Sequence, residues 1–149
     1  MAHQASRAYK LQLSDAGMQL FLDDHCRLCH LVGDLLSYGS TLFVAVHLLH
    51  LCPGGEMANA LLDPELHQLG GRKIRHVGTS RILSDLVHSI AAEIETAGVI
   101  YSSPQVWKIF LAALLHMRDA EDVHILRSYH VMLDKMRTAE QYSTTVAAG

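Results

Sequence analysis

Residues 40–51 read STLFVAVHLLHL, an apolar run that is broken only by His47 and His50. These 12 residues are too few to cross a bilayer, which takes about 20 residues. The length and the leucine content of the run favour a helix over a strand. Because a helix that is apolar on most sides must be buried by protein, the stretch predicts a central helix over residues 41–51 around which the chain packs.

Upstream of this stretch, the pattern predicts a helix over residues 14–38. Ser14 or Asp15 is a suitable N-cap, and apolar residues follow at helical spacing. Gly39 then offers a stop, and the hydroxyl groups of Ser40 and Thr41 offer a new start. Residues 52–55, CPGG, end the central helix because proline lacks an amide hydrogen and the glycines favour a turn.

Downstream, the chain reads as further helices joined by short turns. The pattern predicts a short helical piece at 57–62. The basic segment 72–76, RKIRH, is interpreted as a solvated turn, and three amphipathic helices follow it. The first of these ends at Gly98, the second follows Ser103 and Pro104, and the last opens at Asp119. No strand is predicted. The expected fold is all-α: one domain over residues 14–140 with five to six helices around a buried central helix, a flexible arm over 1–13 and a flexible tail over 141–149.

Composition narrows the class of protein. Of the 149 residues, 50% are hydrophobic and 18% are charged, which indicates either a large core or an apolar surface that meets a partner. A net charge of −3 without a long basic run argues against nucleic acid as a partner. Three cysteines, an odd number, fit reduced thiols, and residues 1–10 lack a signal-peptide pattern. The expectation is an intracellular protein, cytoplasmic or nuclear, that does not bind a membrane.

The string Cys26-Arg27-Leu28-Cys29-His30 is the strongest cofactor pattern in the chain. Its CxxCH form attaches c-type haem, and on a helix its ligands share a face that could hold zinc with Cys52 or His25. Two small thiols beside a surface histidine are the preferred interpretation, with no metal and no cofactor. No Ser-His-Asp order or glycine-rich phosphate loop is present, so the chain is not expected to be an enzyme.

Three stretches, in the same order along the chain, resemble a cyclin box. Residues 41–49, TLFVAVHLL, are similar to its second helix, although the Asp-Arg pair that follows in the family is His50-Leu51 here. Residues 72–79, RKIRHVGT, resemble the basic entry to the third helix with its Val-Gly-Thr. Residues 101–109, YSSPQVWKI, resemble the start of the fifth helix. The resemblance implies a cyclin-like helical bundle that docks or regulates a protein kinase.

In that family the third and fifth helices present the kinase-facing surface, which corresponds here to about 80–97 and 104–117. The family's kinase-contacting Lys and Glu fall near Val87 and Phe110, so both charges are missing. Apolar anchors would then carry the interface. The candidate partner-binding residues are Arg81, Asp85, Val87, His88, Trp107 and Lys108. Two alternatives stay open: a metal- or haem-binding protein that uses the CRLCH string, and a homodimeric structural helix bundle.

Overall fold

The fold is mainly helical, as predicted, and a small antiparallel ribbon is added to the helices. The computed structural model describes residues 7–148, with side chains for 8–78 and 80–141. The elements, in chain order, are β1 (Arg7–Leu13), α1 (Asp15–Val32), α2 (Tyr38–His50), α3 (Gly54–Leu61), α4 (Leu66–Leu69), β2 (Lys73–Thr79), α5 (Arg81–Ala97), α6 (Val106–Asp119) and α7 (Asp122–Ala148).

Helix α2 lies at the centre of the bundle, which confirms the role predicted for the apolar stretch. Every residue from Thr41 to Val46 is buried, and so are Leu48 and Leu49. Helices α1, α5, α6 and α7 all pack against it, and α6 and α7 do so most extensively. Burial of this many apolar side chains is the largest favourable term in the stability of the bundle.

The break between α1 and α2 comes earlier than predicted. Helix α1 ends at Val32 because Gly33 adopts the left-handed conformation, with φ 81°, and its amide donates to the carbonyl of Cys29. The side chain of Ser37, rather than of Ser40 or Thr41, then caps α2 by accepting a hydrogen bond from the Ser40 amide. Gly39 therefore lies inside α2, and the predicted helix over 14–38 is wrong at its C-terminal end.

The prediction that the chain contains no strand is wrong. Residues 7–13, expected in a flexible arm, pair with residues 73–79 in an antiparallel ribbon, β1–β2. In β1, Leu11 and Leu13 are buried while Lys10 and Gln12 are exposed, which is the alternation of a half-buried strand. The segment 72–76, interpreted as a turn, mostly belongs to β2. The predicted arm over 1–6 lies outside the described residues.

The last three helices follow the predicted order, with shifted bounds. Helix α5 ends where predicted, at Gly98, which is left-handed with φ 71°. Asp119 is the last residue of α6, and α7 begins at Asp122. Helix α7 reaches Ala148, so residues 141–148, expected as a flexible tail, are helical. Within the described part of the chain, no helix has the length and hydropathy needed to cross a membrane.

Candidate functional site

A groove separates α5 from α7 on the surface of α2. Its volume is about 530 Å³. Helix α5 supplies one wall, helix α7 the other, and His50 at the end of α2 closes one side. The groove-lining residues of the two walls are Ile82, Asp85, Leu86 and Ser89 from α5 and Lys135, Thr138 and Ala139 from α7.

The α5 wall follows from helical periodicity. Ile82, Leu86 and Ser89 recur at intervals of three and four residues and therefore lie along one stripe of the helix. The neighbouring stripe, which includes Leu83 and Ile90, is buried in the core. Ser89 donates its hydroxyl hydrogen to the carbonyl of Asp85 at 3.1 Å, so this polar group is satisfied within its own helix. The stripe is thus apolar at its floor and polar at its rim.

Two opposite charges face the groove from its two walls. Asp85 on α5 and Lys135 on α7 both line it, and neither forms an ion pair with a described residue. At the end of the groove, His50 Nε2 lies 3.1 Å from Glu93 Oε1. A ligand or partner with one acidic and one basic group would find a complement for each.

His47 lies beneath this region and ties α2 to α7. Its Nδ1 is 2.8 Å from the hydroxyl of Ser128, which is fully buried. Burial lowers the pKa of His47, and the nearby charges of Lys135 and His50 lower it further. The imidazole is therefore held neutral to a lower pH than usual, which suits its role as a half-buried link between two helices.

The structure does not gather the six predicted partner-binding residues on one surface. Asp85 lines the groove, and Arg81 and His88 are exposed on α5. Val87 is only 2% exposed and packs in the core, so a partner cannot reach it in this fold. Phe110 is likewise buried.

Trp107 and Lys108 belong to a different part of the molecule. Trp107 is 36% exposed and lines a separate recess with Gln12 and Leu66. Its indole Nε1 donates to Gln105 Oε1 at 2.8 Å, and the Lys108 ammonium lies 5.6 Å from the ring centroid. These contacts hold the indole against the start of α6, away from the residues that line the α5–α7 groove.

The CRLCH string does not form a ligand cluster. Cys26 and His30 are exposed, whereas Cys29 Sγ lies 3.6 Å from Nε2 of His25. Cys52, the suggested fourth ligand, lies beside His116 instead, with Sγ and Nε2 3.6 Å apart. Among the residues that the structure describes, no three His, Cys, Asp or Glu side chains are placed to hold a metal ion together.

A buried carboxyl group on α1 escaped the sequence analysis. Asp24 is 2% exposed, and its Oδ2 has no hydrogen-bond partner. Burial raises its pKa to about 7, although Arg27 and Arg118 lower it in part. A signal was present in the sequence, since Asp24 lies on the same helical stripe as Leu20 and Leu28. An acid in an apolar stripe indicates a buried carboxyl group.

Comparison of the chain with protein-family models, curated proteins and solved structures finds no match. The resemblance to a cyclin box therefore stays a prediction, and function is inferred from the shape and charge of the α5–α7 groove.

Proposed function

We propose that the chain is a non-catalytic protein-binding module that holds an amphipathic helix of a partner protein in the α5–α7 groove. The observation that carries this proposal is the groove itself, which lies between two helices that both pack on α2. Peptide-binding domains of this kind hold a partner helix by its apolar stripe and orient it with charges at the rim.

The side chains that line the groove favour such an occupant. Ile82 and Ala139 are partly exposed and offer apolar contacts in the groove, whereas Leu86 is 5% exposed and contributes mainly to its floor. Asp85 and Lys135 stand on opposite walls and would set the direction of a helix that carries charges of both signs.

A protein kinase is the partner class that the resemblance to a cyclin box implies. The positions of the family's Lys and Glu are occupied by Val87 and Phe110, and both side chains are buried. Docking of a kinase would then depend on the groove and on the exposed residues Arg81, Asp85 and His88 of α5. The affinity would come from desolvated apolar contacts, and the charges would select the orientation.

A groove-filling substitution tests the proposal. Ser89→Trp places a large side chain in the groove at an exposed position. Thr96→Trp is the matched control, because Thr96 lies on the same helix, is exposed, and bonds the carbonyl of Ala92 as Ser89 bonds that of Asp85. The tagged full-length chain and both variants are used to isolate partners from native extract, and the bound proteins are quantified by mass spectrometry and assayed for kinase activity.

We expect to recover a partner protein, which the resemblance to a cyclin box implies is a kinase. Its recovery should fall about tenfold with Ser89→Trp and stay unchanged with Thr96→Trp. Asp85→Lys should lower the recovery of the same partner protein and leave the melting temperature of the chain unchanged. Equal recovery by all variants would refute the groove as the binding site. If the protein lost with Ser89→Trp is a second copy of this chain, and the mass in solution is that of a dimer, the result would instead favour the homodimeric bundle.

A further inference from the structure

A second recess lies between the β1–β2 ribbon and α1. Its volume is about 150 Å³, and none of its lining residues takes part in the α5–α7 groove. Leu11 and Val77 contribute to the ribbon side, Phe21 and Leu22 to the α1 side, and Tyr38 to the rim. The rings of Phe21 and Tyr38 meet edge to face with centroids 5.7 Å apart. An apolar cavity of about this size is known to accept a benzene-sized group.

A guanidinium group stands over these apolar walls. The register pairs Arg75 with Leu11 and Val77 with Tyr9, so the side chains of all four residues project from the same face of the ribbon. Arg75 is therefore directed toward the side of the ribbon that covers α1, and it lines the recess together with His76. Arg75 is exposed, so solvent satisfies its charge in the free protein, and a bound anion would take the place of that solvent.

The two basic residues on this face of β2 differ in their partners. Lys73 Nζ lies 2.8 Å from Asp15 Oδ1, so this charge has an acidic neighbour. Among the described residues, Arg75 donates only to the carbonyl of Ile74, its neighbour in the chain, at 2.8 Å, and no carboxylate pairs with it. The recess thus combines an apolar interior with an unpaired guanidinium at its mouth.

We propose that this recess binds a small monocarboxylate with a compact apolar body. The body, of benzene size, occupies the space between Leu11, Phe21 and Val77, and the carboxylate accepts paired hydrogen bonds from Arg75. The planar fork of a guanidinium matches the two oxygens of a carboxylate, and such charged hydrogen bonds are about twice as strong as neutral ones.

The position of Arg75 beside the recess also fits a role in which the side chain only covers apolar surface. A long arginine side chain also covers apolar surface with its stem while its head stays in water. In that case the recess would accept apolar molecules without regard to charge. Selectivity for the acid over its neutral analogue is therefore the decisive property.

Phenylacetate is the test ligand, phenylacetamide its neutral analogue, and acetate the acid without the apolar body. Each is titrated into the full-length protein at low ionic strength and followed in two-dimensional amide NMR spectra. We expect saturable shifts at Leu11, Phe21 and Val77 with phenylacetate, a Kd about tenfold higher for phenylacetamide, and no saturation with acetate. Arg75→Gln should raise the Kd of phenylacetate about tenfold and leave that of phenylacetamide unchanged.

Two further variants complete the test. Arg72→Gln removes an exposed basic residue of the same segment that does not line the recess, and it should leave the Kd of phenylacetate within about twofold. Leu22→Trp, at the partly exposed mouth, should block both aromatic ligands. The same spectra report whether each variant is folded. Equal affinity for acid and amide, an unchanged Kd in Arg75→Gln, or shifts confined to other surfaces would overturn the proposal, as would the absence of saturation.

Discussion

Arg27 on α1 and Asp122 on α7 form an ion pair in which Nη2 and Oδ1 are 2.6 Å apart. The same guanidinium donates to the carbonyls of Met117, Arg118 and Ala120, at the C-terminal end of α6. One side chain therefore joins three helices and donates to carbonyl groups at the end of α6, of which that of Met117 also accepts the backbone N–H of Ala120.

Arg27→Ala is expected to lower the free energy of unfolding by about 2 kcal/mol, because it removes the donor to the carbonyls of Arg118 and Ala120 and one of the two donors to that of Met117. Asp122→Asn is the matched comparison: it removes only the charge of a largely exposed pair and should cost about 0.5 kcal/mol. Urea denaturation measures both. Equal costs for the two variants would show that the ion pair, not the carbonyl contacts, holds the helices together.

Asp24 should make stability depend on pH. Its pKa is about 7 in the folded chain against an ordinary value of 3.8, so the folded state binds the proton more tightly than the unfolded state. The free energy of unfolding then falls as the pH rises from about 4 to about 7, by roughly 2–4 kcal/mol, and levels off above that range.

Asp24→Asn is the test of this dependence, because an amide cannot ionise. The difference in unfolding free energy between the variant and the wild type should grow from pH 4 to pH 7, with the variant the more stable at pH 8. Taking the difference removes the opposite contribution of His25 and His47, whose pKa values are lowered by burial. A difference that does not vary with pH would contradict the assignment.

Val87→Ala and Trp107→Ala should have contrasting effects. Val87 is in the core, so the truncation should cost about 1–3 kcal/mol of stability and lower the melting temperature. Trp107 is partly exposed, and its loss should cost less and leave the helical circular-dichroism signal intact. A normal melting temperature for Val87→Ala would show that its burial contributes little.

The cysteines should behave as thiols and not as ligands. Cys26 is exposed, while Cys29 and Cys52 are partly covered. Burial raises the pKa of the Cys52 thiol, and the nearby charge of Glu56 raises it further. A thiol-specific reagent should therefore modify Cys26 first and Cys52 slowly, as peptide mass spectrometry would show. Elemental analysis and absorption spectra of the purified protein should reveal neither stoichiometric zinc nor a Soret band; either signal would restore the metal alternative.

The helices could be predicted because their signals are local. The apolar density of residues 41–51 requires burial wherever the helix lies, and Gly98 ends α5 through its own backbone conformation. The end of α1 was harder to predict because Gly33 and Gly39 are equally suitable stops within a few residues of each other. Only the packing of α2 shows that Gly39 is taken into a helix.

The ribbon and the two recesses depend on contacts between distant residues. Tyr9, Leu11 and Leu13 do alternate with polar residues, which could have indicated a strand, but the partner of this strand is 60 or more residues away. The register that places Arg75 over an apolar pocket follows from that pairing alone. Likewise, the groove at Asp85 exists because α5 and α7 lie apart on α2.

The pairing of β1 with β2 also sets an order of events during synthesis. Strand β1 and helices α1 and α2 are synthesised before β2, and the intervening residues 14–72 take roughly 3–12 s to make at about 5–20 residues per second. Closing a loop of this length carries an entropic cost that local helices avoid. Helix α2, the most apolar helix, stays without its main packing partners until α6 and α7 have been synthesised. A chaperone that shields apolar segments is thus expected to bind the nascent chain after α2 emerges and to be released once α7 is complete.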